Sequence, residues 1–264
     1  MNNNGISKIL LITEGKDDSK FFDRIKILFN INVEIVYINA NIYKLYNRMK
    51  AEDFNCNVKN LILECLPKDI SADEKEDYKN KLKDKYAYIY FVFDFDIQHH
   101  GRNEDNDINK NCDKIRIMLE ELNNETDETR GKLYINYPMM ESFRDINSFD
   151  DTEFISSSVA VNDVRNYKSI VSSKRLHGKD IVTYTIDNFI AIFKLNTNKL
   201  FFINNINQKD KNIFLELTKG INIYYKIKDE IDKDCKVYVL NTSIFFLSDF
   251  KTFNDKYLSL ILTN

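Results

Sequence analysis

The pattern of hydrophobic and polar positions in the N-terminal half of the chain predicts an α/β fold. Residues 7–13 form an apolar run typical of a short strand, and residues 33–38 form a second one. Between them, the apolar positions follow the i, i+3, i+4, i+7 spacing of one buried helical stripe. They are Phe21, Phe22, Ile25, Leu28 and Phe29. Strand, helix and strand in this order predict a parallel pair joined by a right-handed crossover.

Residues 41–86 are longer than one crossover helix requires, and their pattern predicts an insertion of three helices. The second of these helices spans about 58–66 and is closed by Pro67. The third begins at Ser71, which has Glu74 three residues later, the spacing of a capping box.

Residues 88–93, YIYFVF, are six apolar or aromatic residues in succession, and Asp94 and Asp96 follow directly. A strand without a polar break is typical of the interior of a parallel sheet, buried on both faces. Ligands of open α/β folds bind beyond the carboxyl ends of such strands. The sequence therefore predicts two carboxylates where this fold class carries out its chemistry.

A helix at 108–122, a short strand at 132–136 and the segment 137–143, YPMMESF, come next. The pattern beyond them becomes mostly helical. We predict an α/β domain in residues 1–145, with a mostly parallel sheet flanked by helices, and a mostly helical C-terminal region in residues 146–264 packed on it.

Composition narrows the class of protein. The chain of 264 residues is 43% hydrophobic and 30% charged, which allows a sizeable core in a soluble protein. No window approaches the ~20 apolar residues of a membrane span, and the N-terminus lacks the pattern of a signal peptide, so we expect a cytoplasmic protein without a membrane partner. The four cysteines are scattered and predict neither disulfides nor a zinc site. The net charge of −3 counts against tight non-specific binding of nucleic acid by the chain as a whole.

Acidic residues follow three of the predicted parallel strands. Glu14 follows the first strand, Asp94 and Asp96 follow the third, and Glu141 comes after the fourth. The carboxyl ends of parallel strands face the same edge of a sheet, so we expect these carboxylates to converge. Hard oxygen ligands suit Mg²⁺ or Mn²⁺, and such an ion can activate water and stabilise a phosphoryl group.

Two of these motifs resemble the Toprim domain, which occurs in topoisomerases, primases and nucleases. The strand followed by residues 14–18, EGKDD, and then a helix resembles its first motif, and the apolar strand ending in Asp94-x-Asp96 resembles its second. The resemblance covers about residues 6–145. It implies that Glu14, Asp94 and Asp96 bind magnesium and are catalytic, with Glu141 as an additional ligand or positioning group.

The segment 137–143 resembles one found in Toprim nucleases of bacterial abortive-infection and phage-defence systems, of the OLD-family and AriB-like kinds. This resemblance implies a magnesium-dependent nuclease that is the effector of an antiviral defence system. The net charge of −3 indicates that a partner, for which an ATPase is the candidate, delivers or controls the substrate. The chain has no P-loop motif, so we do not expect it to bind ATP through a P-loop of its own. The resemblance leaves open whether the substrate is RNA (with transfer RNA as one candidate) or DNA. It also leaves open whether the chain forms a homo-oligomer. Lys16 and Arg102 are candidates for contacting substrate phosphate.

Other interpretations remain open. Glu14 could cap the helix that follows, and helix capping is the default role of Asp17 and Asp18. A Toprim-like subunit without activity could regulate another protein. A haloacid-dehalogenase-like phosphatase also uses a DxD motif after an apolar strand, but in that class the strand normally comes first and Glu14 would have no role. His99 and His100 lie near the predicted site, and adjacent histidines in a polar loop are usually solvated.

Overall fold

The computed structural model describes residues 8–66, 70–99, 107–127, 129–174, 176 and 178–263. The chain forms two compact units. The first comprises Met1–Phe93 and Asp113–Tyr134, and the second comprises Asp94–Cys112 and Ile135–Asn264. None of the described helices is long and apolar enough to cross a membrane.

A five-stranded sheet has the strand order β2-β1-β3-β5-β4. Its strands are β1 (Ile9–Thr13), β2 (Val33–Tyr37), β3 (Tyr88–Asp94), β4 (Asn123–Asn124) and β5 (Gly131–Asn136). Strand β1 is parallel to β2 and to β3, and Thr13 lies opposite Val92 in the second pairing. The predicted α/β class with a mostly parallel sheet and flanking helices is therefore confirmed.

The central position of β1 and β3 follows from their composition. All five residues of β1 are buried, and β3 is buried from Ile89 to Phe93. Helix α1 (Lys16–Phe29) covers the sheet with the predicted stripe, in which Phe21, Phe22 and Ile25 are buried. Burial of these side chains stabilises the unit by about 1.5–3 kcal/mol each.

Three helices occupy the predicted insertion: α2 (Ile42–Ala51), α3 (Val58–Cys65) and α4 (Ala72–Lys83). The capping box of α4 is confirmed. Ser71 Oγ accepts the Glu74 N–H at 3.1 Å, and Glu74 Oε2 accepts the Ser71 N–H at 3.1 Å. Pro67, which we predicted to close α3, lies outside the described residues.

The polar residues 123–131, after α5 (Ile108–Glu121), have the composition of a turn, but they include a short strand. Asn123 and Asn124 form the short edge strand β4, which pairs antiparallel with Lys132 and Gly131 of β5. Two asparagines are too few to show the alternation that marks a strand, so the local pattern indicates only a turn.

The second unit is mostly helical, as predicted for the C-terminal region. Its helices are α6 (Tyr167–Ser172), α7 (Ile186–Ile203), α8 (Lys211–Leu217), α9 (Gly220–Asp234), α10 (Lys251–Phe253) and α11 (Ser259–Thr263). Two short strands, β6 (Ser158–Ala160) and β7 (Lys236–Tyr238), pair antiparallel. The core contains the rings of Phe193, Phe214, Phe245 and Phe253. The ring of Phe193 contacts the other three and Phe214 contacts Phe245, with centroids 4.9–5.8 Å apart in these pairs.

Candidate active site

Asp94 is the last residue of β3, and its carboxylate is held by the backbone. Asp94 Oδ1 accepts the N–H of Met140 at 2.7 Å. Met140 begins the 3-10 helix Met140–Arg144, where N–H groups have no partner within the helix. The hydrogen bond therefore satisfies a helix-start donor and orients the Asp94 carboxylate.

The chain reaches this 3-10 helix from the end of β5 by a turn with several backbone hydrogen bonds. The Phe95 N–H donates to both Asn136 O and Pro138 O at 3.0 Å. The peptide bond between Tyr137 and Pro138 is cis. Tyr137 and Leu240 exchange two backbone hydrogen bonds, at 2.9 and 2.7 Å, so the turn is joined to both the DxD segment and the C-terminal region.

Asp96, the second aspartate of the DxD motif, lies in the turn after β3. His99 Nδ1 lies 3.5 Å from Asp96 Oδ2, and the two side chains are 33% and 41% exposed. Both side chains are therefore partly exposed to solvent and also lie close to each other. Asp94 is part-buried as well, and its carboxylate accepts a backbone N–H.

Two side chains fix the loop that follows Asp96. Asn111 Nδ2 donates to Ile97 O at 2.9 Å and to His99 O at 2.7 Å. Arg165 donates its guanidinium to Gln98 O and its backbone N–H to Gln98 Oε1. Asn111 was not among the predicted site residues, because nothing in the helical pattern of residues 108–122 marks it. The DxD loop is thus held by both α5 and the segment before α6.

Glu141 is the second residue of the 3-10 helix and forms an ion pair with a lysine of α6. Lys168 Nζ lies 2.8 Å from Glu141 Oε1. Glu141 Oε2 is buried and has no hydrogen-bond donor among the residues that the structure describes. An ionised oxygen in this position lacks part of the solvation it would have in water, a cost that a bound cation would relieve.

A buried tyrosine ties the end of the same 3-10 helix to α6. Tyr167 Oη donates to Asp145 Oδ2 at 2.9 Å, and Lys174 Nζ lies 3.4 Å from Asp145 Oδ1. Burial, followed by the charge of Asp145, raises the pKa of the Tyr167 phenol well above its usual value. Tyr167 therefore stays protonated at neutral pH and acts as a hydrogen-bond donor, not as a nucleophile.

A buried polar network surrounds Met140, and none of its members was among the predicted site residues. Asn241 Nδ2 donates to Met140 O at 3.2 Å, and Ser243 Oγ donates to Asn241 Oδ1 at 3.1 Å. Asn136 Oδ1 accepts the Ser243 N–H at 3.1 Å. The available signal was the polar triplet Asn241-Thr242-Ser243 between two apolar runs, because buried polar residues in such a place require partners.

Glu14 lies in the first unit, directly after β1. The next residue, Gly15, is the N-cap of α1, and its N–H donates to Asp18 Oδ2 at 3.0 Å. Thr13 Oγ1 donates to Gly15 O at 3.0 Å. Asp18 therefore caps the helix, as expected, and Lys16 is an exposed residue at the helix start.

The predicted site residues fall in both units. Asp94, Asp96 and Glu141 belong to the second unit. There, Asp94 accepts the N–H of Met140, the residue that precedes Glu141. Glu14 and Lys16 belong to the first unit. Arg102, like His100, lies outside the described residues.

A metal ion in a protein usually requires several ligand side chains in one place. In the described parts of the chain, no three His, Cys, Asp or Glu side chains are grouped so as to hold a metal ion. The candidate residues offer only carboxylate oxygens, the ligand type that Mg²⁺ and Mn²⁺ prefer. Glu141 Oε2, buried without a donor among the described residues, fits a cation.

Comparisons with models of protein families, with curated proteins and with solved structures found no match to this chain.

Proposed function

We propose that this chain is a metal-dependent nuclease with a Toprim-like fold that hydrolyses phosphodiester bonds of nucleic acid. The observation that carries the proposal is the pairing of β1 with β3. The two strands are parallel neighbours with Thr13 opposite Val92. Glu14 follows Thr13 directly, and Asp94 lies two residues beyond Val92. This is the strand arrangement that the Glu and DxD motifs of the resemblance require.

Glu14, Asp94 and Asp96 would hold Mg²⁺ or Mn²⁺, with Glu141 as an additional ligand or positioning group. Such an ion, when bound, supplies a Lewis acid that lowers the pKa of water and stabilises charge on a phosphoryl group. The hard oxygen donors and the buried Glu141 Oε2 support this assignment.

The side chains around these carboxylates have distinct tasks under this proposal. Met140 holds Asp94 in one orientation through its N–H. Lys168 compensates the charge of Glu141. Glu14 is the group for proton transfer, and Lys16 and Arg102 contact substrate phosphate. The contacts of Asn111 and Arg165 with the DxD loop limit its movement when a substrate binds.

The substrate class is RNA, with transfer RNA as one candidate, or DNA. The resemblance of residues 137–143 to those of defence nucleases supports a role as the effector of a bacterial anti-phage system. A chain with a net charge of −3 has no general attraction to polyanions. A partner ATPase that delivers or controls the substrate is therefore part of the proposal.

The test is cleavage by the purified chain, alone and with candidate partner ATPases. Labelled transfer RNA and plasmid DNA are incubated with Mg²⁺, Mn²⁺ or a chelator, beside the variants Glu14→Ala and Asp94→Ala. Asp17→Ala is the matched control, because Asp17 is a neighbouring acid whose side chain is 91% exposed.

Metal-dependent cleavage that is lost in both variants and kept in Asp17→Ala supports the nuclease. Hydrolysis of a small phosphate ester that requires Asp94 but not Glu14 would show a phosphatase instead. Absence of cleavage under every condition, candidate partners included, contradicts the proposal and favours a Toprim-like regulatory subunit.

A further inference from the structure

We infer that Asn241 is a positioning residue for the proposed metal site, acting through the main chain of Met140. The inference rests on the proposed function and extends it to the C-terminal region, which the resemblance does not cover. Asn241 is fully buried and lies 101 residues from Met140 in sequence. Its side chain contacts the peptide group that joins Met140 to Glu141.

The main chain of Met140 is held at both of its polar groups. Its N–H donates to Asp94 Oδ1 at 2.7 Å, and its carbonyl oxygen accepts from Asn241 Nδ2 at 3.2 Å. The first contact fixes the direction of a proposed metal ligand. The second contact fixes the plane of the peptide group between Met140 and Glu141. Asn241 therefore sets the position of two of the proposed ligands without touching either carboxylate.

The orientation of the Asn241 amide is determined by its partners. Asn241 Oδ1 accepts the backbone N–H of Ile244 at 3.1 Å, and a backbone N–H can only donate. Asn241 Nδ2 faces Met140 O, which can only accept. Exchanging the oxygen and nitrogen of the amide would place two donors together and two acceptors together, so only one orientation satisfies the network.

The backbone of Asn241 is fixed as well. Its N–H donates to Asn196 Oδ1 at 2.8 Å, and Asn196 is itself buried in α7. Asn196 Nδ2 donates to Ile192 O at 2.8 Å within that helix. The long helix α7 thus supports Asn241, and Asn241 supports Met140. Outer partners of metal ligands act in this way, and their loss typically costs about 10- to 100-fold in metal affinity.

The test is Mn²⁺ binding to the full chain, measured from the EPR signal of free Mn²⁺ in a titration. The variants are Asn241→Ala, Thr242→Val and Asp94→Asn. Thr242→Val is the matched control, because Thr242 is buried beside Asn241 and loses a hydrogen bond of its own, from Oγ1 to Ile135 O at 2.7 Å. Thermal unfolding of each variant separates loss of stability from loss of binding.

We expect Asn241→Ala to weaken Mn²⁺ binding by about tenfold or more, whereas Thr242→Val binds as the wild type does, although both variants unfold at lower temperature. If Asn241→Ala does not fold, Ser243→Ala takes its place. That variant removes a hydroxyl that contacts Asn241 Oδ1 at 3.1 Å and Met140 Sδ at 3.7 Å, and we expect a smaller loss of affinity in the same direction.

Two results would overturn the inference, and they differ in what they say about the proposed function. If Asp94→Asn abolishes Mn²⁺ binding but the Asn241 variant (or, in its place, the Ser243 variant) binds as the wild type does, the metal site stands and Asn241 has only a structural role. If the wild-type chain binds no Mn²⁺, or if Asp94→Asn binds it unchanged, the proposed metal site and this inference fail together.

Discussion

The backbone N–H of Met140 lies 2.7 Å from Asp94 Oδ1, and this hydrogen bond joins residues 46 positions apart in the chain. It connects the DxD motif at the end of β3 with the 3-10 helix that carries Glu141. A charge-assisted hydrogen bond of this length is among the stronger contacts in proteins, and it limits the carboxylate to one orientation. The geometry of the proposed site thus depends on a main-chain donor that side-chain motifs do not include.

Met140→Pro tests this hydrogen bond, because proline has no N–H. Proline is tolerated at a first helical position, and Met139 already has the extended backbone that precedes proline, with φ −160° and ψ 177°. We expect the variant to fold and to bind Mn²⁺ about tenfold more weakly, since Asp94 loses its fixed orientation. Mn²⁺ titration with thermal unfolding is the measurement.

Met140→Leu is the control for that prediction. Leucine keeps the N–H and nearly the volume of methionine. It removes the sulfur atom, which Asn136 Nδ2 contacts at 3.2 Å and which Asn241 Nδ2 and Ser243 Oγ contact at 3.7 Å. Wild-type affinity in Met140→Leu with reduced affinity in Met140→Pro would isolate the N–H. If both variants bind Mn²⁺ with wild-type affinity, Asp94 needs no main-chain donor.

Tyr167→Phe is expected to lower the free energy of unfolding by about 2 kcal/mol at neutral pH, because it removes a buried hydrogen bond to the Asp145 carboxylate. The substitution should also change how the free energy of unfolding depends on pH at alkaline pH. Burial and the charge of Asp145 raise the pKa of Tyr167 in the folded chain above that of about 10 in the unfolded chain.

The stabilisation from this raised pKa is fully present below pH ~10 and is lost as pH rises further, because the unfolded chain then releases the proton first. We expect the free energy of unfolding of the wild type to fall above pH ~10 more steeply than that of Tyr167→Phe. Urea unfolding between pH 7 and 11 measures both curves. Parallel curves would show that the Tyr167 phenol titrates as it does in the unfolded chain.

Gly131→Ala should destabilise the first unit by about 2–4 kcal/mol. Gly131 has φ +81°, and an added Cβ would lie 2.9 Å from Ile89 Cγ2 and 3.0 Å from Ile89 O. Both the left-handed backbone and the close contact oppose a side chain. Gly178→Ala is the control, since nothing lies within 4 Å of its Cβ position. Chemical denaturation of both variants should show a large loss for the first and less than about 0.5 kcal/mol for the second.

Patterns within a few residues of sequence were sufficient to predict a buried strand and a helix cap. The apolar run of residues 88–93 predicted a buried strand, and Asp94 lies at its end as expected. The capping box at Ser71 was predicted for the same reason, because it involves residues only three apart.

The environment of Asp94 was not predictable in this way. Its donor, Met140, and the support from Asn241 come from distant parts of the chain, and no periodicity encodes such contacts. A single sequence does not show whether an asparagine is buried or exposed.

The most direct test of the central claim is the rate of magnesium-dependent nucleic-acid cleavage by the wild type, Glu14→Gln and Asp94→Asn, each assayed with the partner that supports wild-type activity. Both substitutions keep the shape of the side chain, remove its charge and replace one acceptor oxygen with an NH₂ donor. We predict that each variant lowers the rate by about 100-fold or more, with no change in thermal stability that explains the loss. Wild-type rates in either variant, or cleavage that continues in excess chelator, would contradict the account.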